Sequence, residues 1–275
     1  MNENPLQKYF RQPKIYLSLP SQGNFYPPGV INGDPGNLPV FGMSAMDEVL
    51  FKTPDALFNG EATVTVIKSC IPAITQPWLM PQIDVDACLV AIRIATYGQT
   101  LETNFSCTNC GEENTFDLDL SKTLEYFLGL TYDTEVIAGP LMVTLRPLTY
   151  KEITEINIKT FSFRKQLYQS IPDETDDERN TRLNKVYQDI AELTSIGYKK
   201  SIAKVESDDA QVTDQDQISD WIKNSDKEFF DKITKQLEEL SNKWRLQPQR
   251  VQCSACQTEN EVIMGMDNSD FFVKA

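Results

Sequence analysis

Two stretches of this chain pair cysteines at the same spacing: NFSCTNCGEENTF, residues 104 to 116, and RVQCSACQTENEV, residues 250 to 262. Each has a Cys-x-x-Cys, an apolar residue two positions before it (Phe105, Val251) and another six positions after it (Phe116, Val262). A Glu-Asn pair follows the second cysteine of each after two intervening residues. A two-residue spacer lets one tight turn aim two sulfurs inward. Two such turns facing each other supply the four thiolates, at about 2.3 Å, that tetrahedral zinc takes. Cys107, Cys110, Cys253 and Cys256 are therefore the predicted metal ligands, and Zn2+ is the predicted ion. An iron–sulfur or other thiolate-bound metal, or metal-free cysteines, are the competing readings. Four thiolates leave no open coordination position, so the expected role is structural. The remaining cysteines, Cys70 and Cys88, stand alone in apolar surroundings and read as core residues.

Other chemistry is narrowed by what is missing. The 275 residues include no histidine, which removes Ser-His-Asp and Cys-His nucleophilic sites and His-ligated catalytic zinc. A mechanism built on carboxylates stays open, but 40 acidic residues offer no identifiable pair. A formal net charge of −14 argues against a nucleic-acid groove, because phosphate binding runs on Lys and Arg. No run of about 18 apolar residues predicts a membrane span. The N-terminus MNENPLQKYFRQPK lacks the apolar core of a signal peptide. The expected setting is a reducing cytoplasm, where paired cysteines favour metal over disulfides.

The elements that position these residues read as follows. Residues 1–40 hold seven of the fifteen prolines, which leaves little room for regular structure. Aromatics are interleaved with them, so the segment reads as an extended arm lying on its own body or on a partner. A body follows, residues 41–148, closed by the C-terminal segment 247–275. SAMDEVLF starts with an N-cap serine, and Thr53-Pro54 repeats the device. NGEATVTVIKSCI reads as strand or buried helix. DVDACLVAIRIATYG reads as a helix capped by Asp84 and stopped at Gly98. EVIAGPLMVTLRPL reads as a hairpin turning at Gly139-Pro140. Residues 149–246 read as a helical insertion, a bundle or hairpin of three amphipathic helices, opened by Thr149 and Glu152 as a capping box. The fold class expected is α+β: helix-rich with short antiparallel strands, a four-cysteine zinc ribbon and an inserted helical bundle. Tyr16, Phe25 and Tyr26 of the arm, with Trp221, Phe229 and Trp244 of the helices, are the candidate partner contacts.

Several blocks carry a resemblance. LPSQGNFYPPG, MSAMDEVLFKTPDALFNGEATVTVIKSCIP, AIRIATYGQTLETNFSCTNCGEENTFDLDL and LRPLTYKEITEI together resemble the baseplate hub subunit family of T-even-type contractile-tailed phages. The C-terminal Cys-x-x-Cys also fits; residues 160–245 carry no matching signature. The resemblance implies a non-enzymatic role at the tail tip, with other hub proteins or the tape-measure protein as partners, in a symmetric ring. It carries over no catalytic residue. It implies assembly in the host cytoplasm, and either residence in the virion baseplate or departure as an assembly chaperone. Two readings of other classes compete: a zinc-ribbon nucleic-acid-binding protein, using Lys243, Arg245 and Arg250, and a carboxylate hydrolase.

Overall fold

The computed structural model describes residues 5–169, 171–172, 174–246, 248–262 and 271–272. The chain is α+β and divides into two compact units, Met1–Thr131 with Trp244–Ala275, and Tyr132–Lys243. Unit 1 is thus discontinuous in sequence, and unit 2 is the segment between its halves.

Unit 1 begins with β1 (Pro13–Leu17), paired antiparallel with β2 (Leu38–Phe41), Leu17 opposite Leu38. Leu17, Leu19, Val30, Leu38 and Val40 are buried. Residues 13–41 therefore lie on their own body and form a wall of its core. Proline forbids helix here but is tolerated where a strand needs no ladder donor, and the aliphatic residues Leu17, Leu19, Val30, Leu38 and Val40 face inward. Residues 5–12 are exposed throughout, and Arg11 ties them down by donating to the Gly42 carbonyl at 2.7 Å.

Helix α1 (Ala45–Phe51) starts with the expected cap: the Ser44 side chain accepts from the Asp47 N–H while the Asp47 carboxylate accepts from the Ser44 N–H at 2.7 Å. After α2 (Pro54–Phe58), the β-branched run forms α3 (Glu61–Cys70), a helix. Its exposed residues are Glu61, Thr65 and Lys68, four and three apart, with buried residues between them, which is a helical period. Helix α4 (Gln82–Tyr97) is buried along most of its length and stops where Gly98 takes φ 97°. Asp84 does not cap it. The residue before the helix is Pro81, and the Asp84 carboxylate, buried in the first turn, accepts from the Ser21 N–H at 2.9 Å, the Ser21 hydroxyl and the Tyr26 hydroxyl at 2.7 Å. These bonds hold the 19–29 loop, where Gln22 and Phe25 adopt φ of 54° and 70°. Burial pushes the Asp84 carboxyl up to about 6, against the hydrogen bonds that lower it. Strands β3 (Thr100–Ser106) and β4 (Glu113–Asp119) then form an antiparallel hairpin, and α5 (Leu120–Leu128) follows.

Unit 2 opens with β5 (Glu135–Ala138) and β6 (Leu141–Leu145), turning at Gly139-Pro140 with Gly139 at φ 62°. Helices α6 (Tyr150–Tyr168) and α7 (Asp176–Lys200) pack on each other, and α6 carries the expected Thr149–Glu152 capping box. Then β7 (Ile202–Glu206) and β8 (Gln211–Val212) complete a four-stranded sheet of order β5-β6-β7-β8. The last two helices are α8 (Gln215–Asn224) and α9 (Lys227–Lys243).

Residues 149–246 are consequently not a self-contained bundle of three helices. Val143 of β6 pairs with Val205 of β7, so the 135–145 hairpin belongs with the helices, and the compact unit runs from Tyr132. The long helical pattern after residue 215 is two helices, interrupted at Ser225. Ile218, Ile233 and Leu240 of those helices close the core over Val143, Leu145, Ile202 and Val205, because one face of a short sheet needs an apolar cover.

The chain returns to unit 1 with β9 (Gln249–Gln252) and β10 (Glu259–Val262), a second antiparallel hairpin. Near the C-terminus, Phe272 stacks on Phe51 at 4.3 Å and Arg93 donates to the Phe271 carbonyl at 2.9 Å. No helix among the described residues is long and apolar enough to cross a membrane.

Candidate metal centre

Each cysteine pair sits in the turn of a hairpin, one joining β3 to β4 and the other β9 to β10. The turns are closed in the same way. The Cys107 N–H donates to the Glu112 carbonyl and the Gly111 N–H to the Cys107 carbonyl, both at 2.9 Å. In the second hairpin the Cys253 N–H donates to the Thr258 carbonyl at 2.9 Å, and the Gln257 N–H to the Cys253 carbonyl at 3.0 Å. The residue after the second cysteine is left-handed in both, Gly111 at φ 75° and Gln257 at φ 62°. Glycine adopts that conformation freely; glutamine does so at a steric cost.

The tertiary structure brings the two turns face to face. All four sulfurs lie within 4.8 Å of one another. Cys107 Sγ is 3.7 Å from Cys256 Sγ, and Cys110 Sγ is 3.7 Å from Cys253 Sγ. A disulfide needs about 2.05 Å, so these are not bonded pairs. A tetrahedron with metal–sulfur bonds of about 2.3 Å has edges of about 3.8 Å, which these contacts match. The donor set thus fits a tetrahedral, thiolate-loving metal ion. Cys107 and Cys253 are buried, while Cys110 is exposed and Cys256 half-buried. The Thr258 hydroxyl, 3.3 Å from Cys256 Sγ, and the Thr258 N–H hold that thiol below its ordinary value, while the neighbouring sulfurs push the Cys110 thiol up, as for sulfurs that share protons.

Asn114 and Asn260, the asparagines of the repeated Glu-Asn pairs, are buried beside the sulfurs. The repeated Glu-Asn pair is visible in the residues, but its spacing alone assigns Asn114 and Asn260 no role. The signal available was their identical offset from the cysteines.

The six candidate partner contacts fare differently. Tyr16 is 64% exposed. Phe25 and Tyr26 are half-buried, and Tyr26 is bonded to Asp84. Trp221 and Phe229 pack against the unit 2 core, and Trp244 is buried. The basic residues near the last helix stand beside carboxylates: Lys243 Nζ is 3.3 Å from Asp133, and Arg250 Nε lies 3.5 Å from Glu259 and 3.6 Å from Glu261.

Comparison with known protein families gives a match. A family model described as T4 bacteriophage base plate protein matches residues 43–273, more than half of the chain, and both cysteine pairs lie inside it. No curated protein and no solved structure matches.

Proposed function

The chain belongs to the T4 bacteriophage base plate protein family, and from that premise we propose that it is a non-enzymatic protein of baseplate hub assembly, acting through protein–protein contacts. The observation that carries this reading is the family match across residues 43–273, which takes in most of both units. The four-cysteine centre supports it from the chemical side. With Cys107, Cys110, Cys253 and Cys256 as ligands, Zn2+ would have its coordination shell filled by protein, leaving no position for substrate. Zinc would supply cross-linking of the two hairpins, and so would hold the two halves of unit 1 together.

The partners in this reading are other hub proteins of the tail or the tape-measure protein, met in a symmetric ring. Protein partners are favoured over nucleic acid by the net charge of −14 and by the carboxylates beside Lys243 and Arg250. Exposed Tyr16 in unit 1, with exposed Tyr168 and Tyr187 in unit 2, are side chains a protein neighbour would cover.

Quantitative mass spectrometry of purified virions, referenced to a known ring protein, tests the proposal. A small symmetric copy number makes the chain a resident baseplate subunit. Absence from virions, with presence in assembly complexes of infected cells, makes it a chaperone that leaves. Absence from both would overturn the assembly role.

A further inference from the structure

Each of the two asparagines beside the sulfurs bonds across to the opposite hairpin. Asn114 Oδ1 accepts from the Ser254 N–H and the Ser254 hydroxyl, both at 2.8 Å, and its Nδ2 donates to Cys253 Sγ at 3.5 Å. Asn260 Oδ1 accepts from the Thr108 N–H and hydroxyl, both at 2.9 Å, and its Nδ2 donates to Cys107 Sγ at 3.6 Å. The second Nδ2 hydrogen of each stays at home, on the Glu112 carbonyl at 2.8 Å and the Thr258 carbonyl at 2.9 Å. A side-chain amide has two donors and one acceptor oxygen, and here all are used in both residues. The pattern is reciprocal: each asparagine is anchored in its own hairpin and grips the first cysteine of the other, together with the residue after it.

We propose that Asn114 and Asn260 are positioning residues of the metal centre that act across the split in unit 1, each fixing the cysteine pair contributed by the other half of the unit. This rests on reading the four cysteines as a metal centre. Two physical consequences follow from the geometry. Four thiolates around a divalent ion carry net negative charge, and an N–H donor on a sulfur relieves part of it. Because the donors come from the opposite hairpin, neither Cys-x-x-Cys turn has its full set of bonds alone. The centre then assembles only when residues on both sides of unit 2 have met. No other common side chain of this size does both jobs. Aspartate keeps the acceptor and loses the donor, serine is too short to reach across, and alanine loses both functions.

The experiment uses the full chain and four variants, Asn114→Ala, Asn260→Ala, Asn114→Asp and Asn260→Asp. Zinc affinity is read by competition with a chromophoric chelator, and each cysteine's alkylation rate by iodoacetamide is read by mass spectrometry. Affinity should fall by about 10–100-fold in all four, the range for loss of a partner behind a metal ligand. The alkylation pattern should cross over: changes at Asn114 speed Cys253 before Cys107, and changes at Asn260 speed Cys107 before Cys253. The aspartate variants keep the bonds to Ser254 and Thr108, so they preserve folding if the alanine variants do not. Unchanged affinity in the aspartate variants would overturn the role of the sulfur bonds. Faster alkylation within the substituted hairpin alone would overturn action across the split. A wild-type chain that takes up no zinc would defeat the metal reading. The location of the change would still judge the asparagines without the ion: a rate that moves, in either direction, at the first cysteine of the opposite hairpin supports action across the split, and one that moves only in the substituted hairpin overturns it.

Discussion

Asn114 and Asn260 each stand four residues beyond the second cysteine of their own hairpin, and each hydrogen-bonds to the first cysteine of the other's. The metal centre is therefore an interlocked pair of turns. Ser254 and Thr108, which follow those cysteines, are held by the same amides, so the backbone of each turn is fixed as well as its sulfur.

Removing one ligand should undo the centre. In Cys107→Ser or Cys253→Ser, stoichiometric zinc is lost and the calorimetric transition of the chain broadens and moves down by several degrees. Binding energy at a structural zinc site is folding energy, and the remaining thiolates repel one another. Metal analysis beside calorimetry checks this; lost zinc at an unchanged transition would refute the structural role.

The two turns differ in how comfortably they bend. Gln257 holds φ 62° where its counterpart Gly111 holds 75°. Gln257→Gly should stabilise by up to about 1 kcal/mol, the relief of a left-handed residue less the added freedom of the unfolded chain. Gly111→Ala should destabilise by about 1–2 kcal/mol by the same argument, although nothing lies within 4 Å of the added methyl. Chemical denaturation of the two variants gives the signs directly.

Gly139 carries a double constraint in unit 2. It has φ 62°, and a Cβ there would meet the Phe229 ring at 2.5 Å. Gly139→Ala should cost on the order of 1–3 kcal/mol from the backbone alone, plus displacement of Phe229 from the sheet. Amide exchange should then accelerate in β5, β6 and α9. Exchange unchanged in those elements would mean that the turn relaxes without moving the ring.

Asp84 should make unit 1 sensitive to pH in the direction opposite to an ion-paired carboxylate. Its ordinary value of 3.8 is raised to about 6 by burial, so ionising it is harder in the folded chain than in the unfolded one. The stability it contributes is full below about 3.8 and is lost as pH rises through about 6. A shift of this size is about 3 kcal/mol. The amide introduced by Asp84→Asn does not titrate, so the stability of wild type relative to that variant should fall between about pH 4 and 6 and then stay level. Urea denaturation of both proteins across that range reads it. A difference that stays constant with pH would show that the carboxyl is not raised.

Much of the local structure was legible in the residues themselves. The Ser44 and Thr149 caps, the stop at Gly98 and the turn at Gly139-Pro140 depend on neighbours within a few positions, and adjacent residues carry them. The paired spacing of the cysteines likewise marked the site, because a Cys-x-x-Cys turn is a local object. The repeat of that turn also pointed to its distant partner, and the four sulfurs do meet. Other long-range relations left no such mark in the residues. Proline density left open whether residues 1–40 lie on their own body or on a partner, and Leu17, Val30 and Val40 are core. Asp84 looked like a cap, yet it serves Ser21 and Tyr26. The helical region looked self-contained, yet β7 inside it pairs with β6 before it. By itself, then, the amino-acid order determined the elements, the ligand types and the absence of any histidine chemistry. Only the tertiary structure decided that the two hairpins which share this centre exchange asparagine bonds, and that the 135–145 hairpin packs with the helices after it. Such bonds join residues far apart in the chain, and they form only after loop closure has brought those residues together. Local propensity carries no term for that.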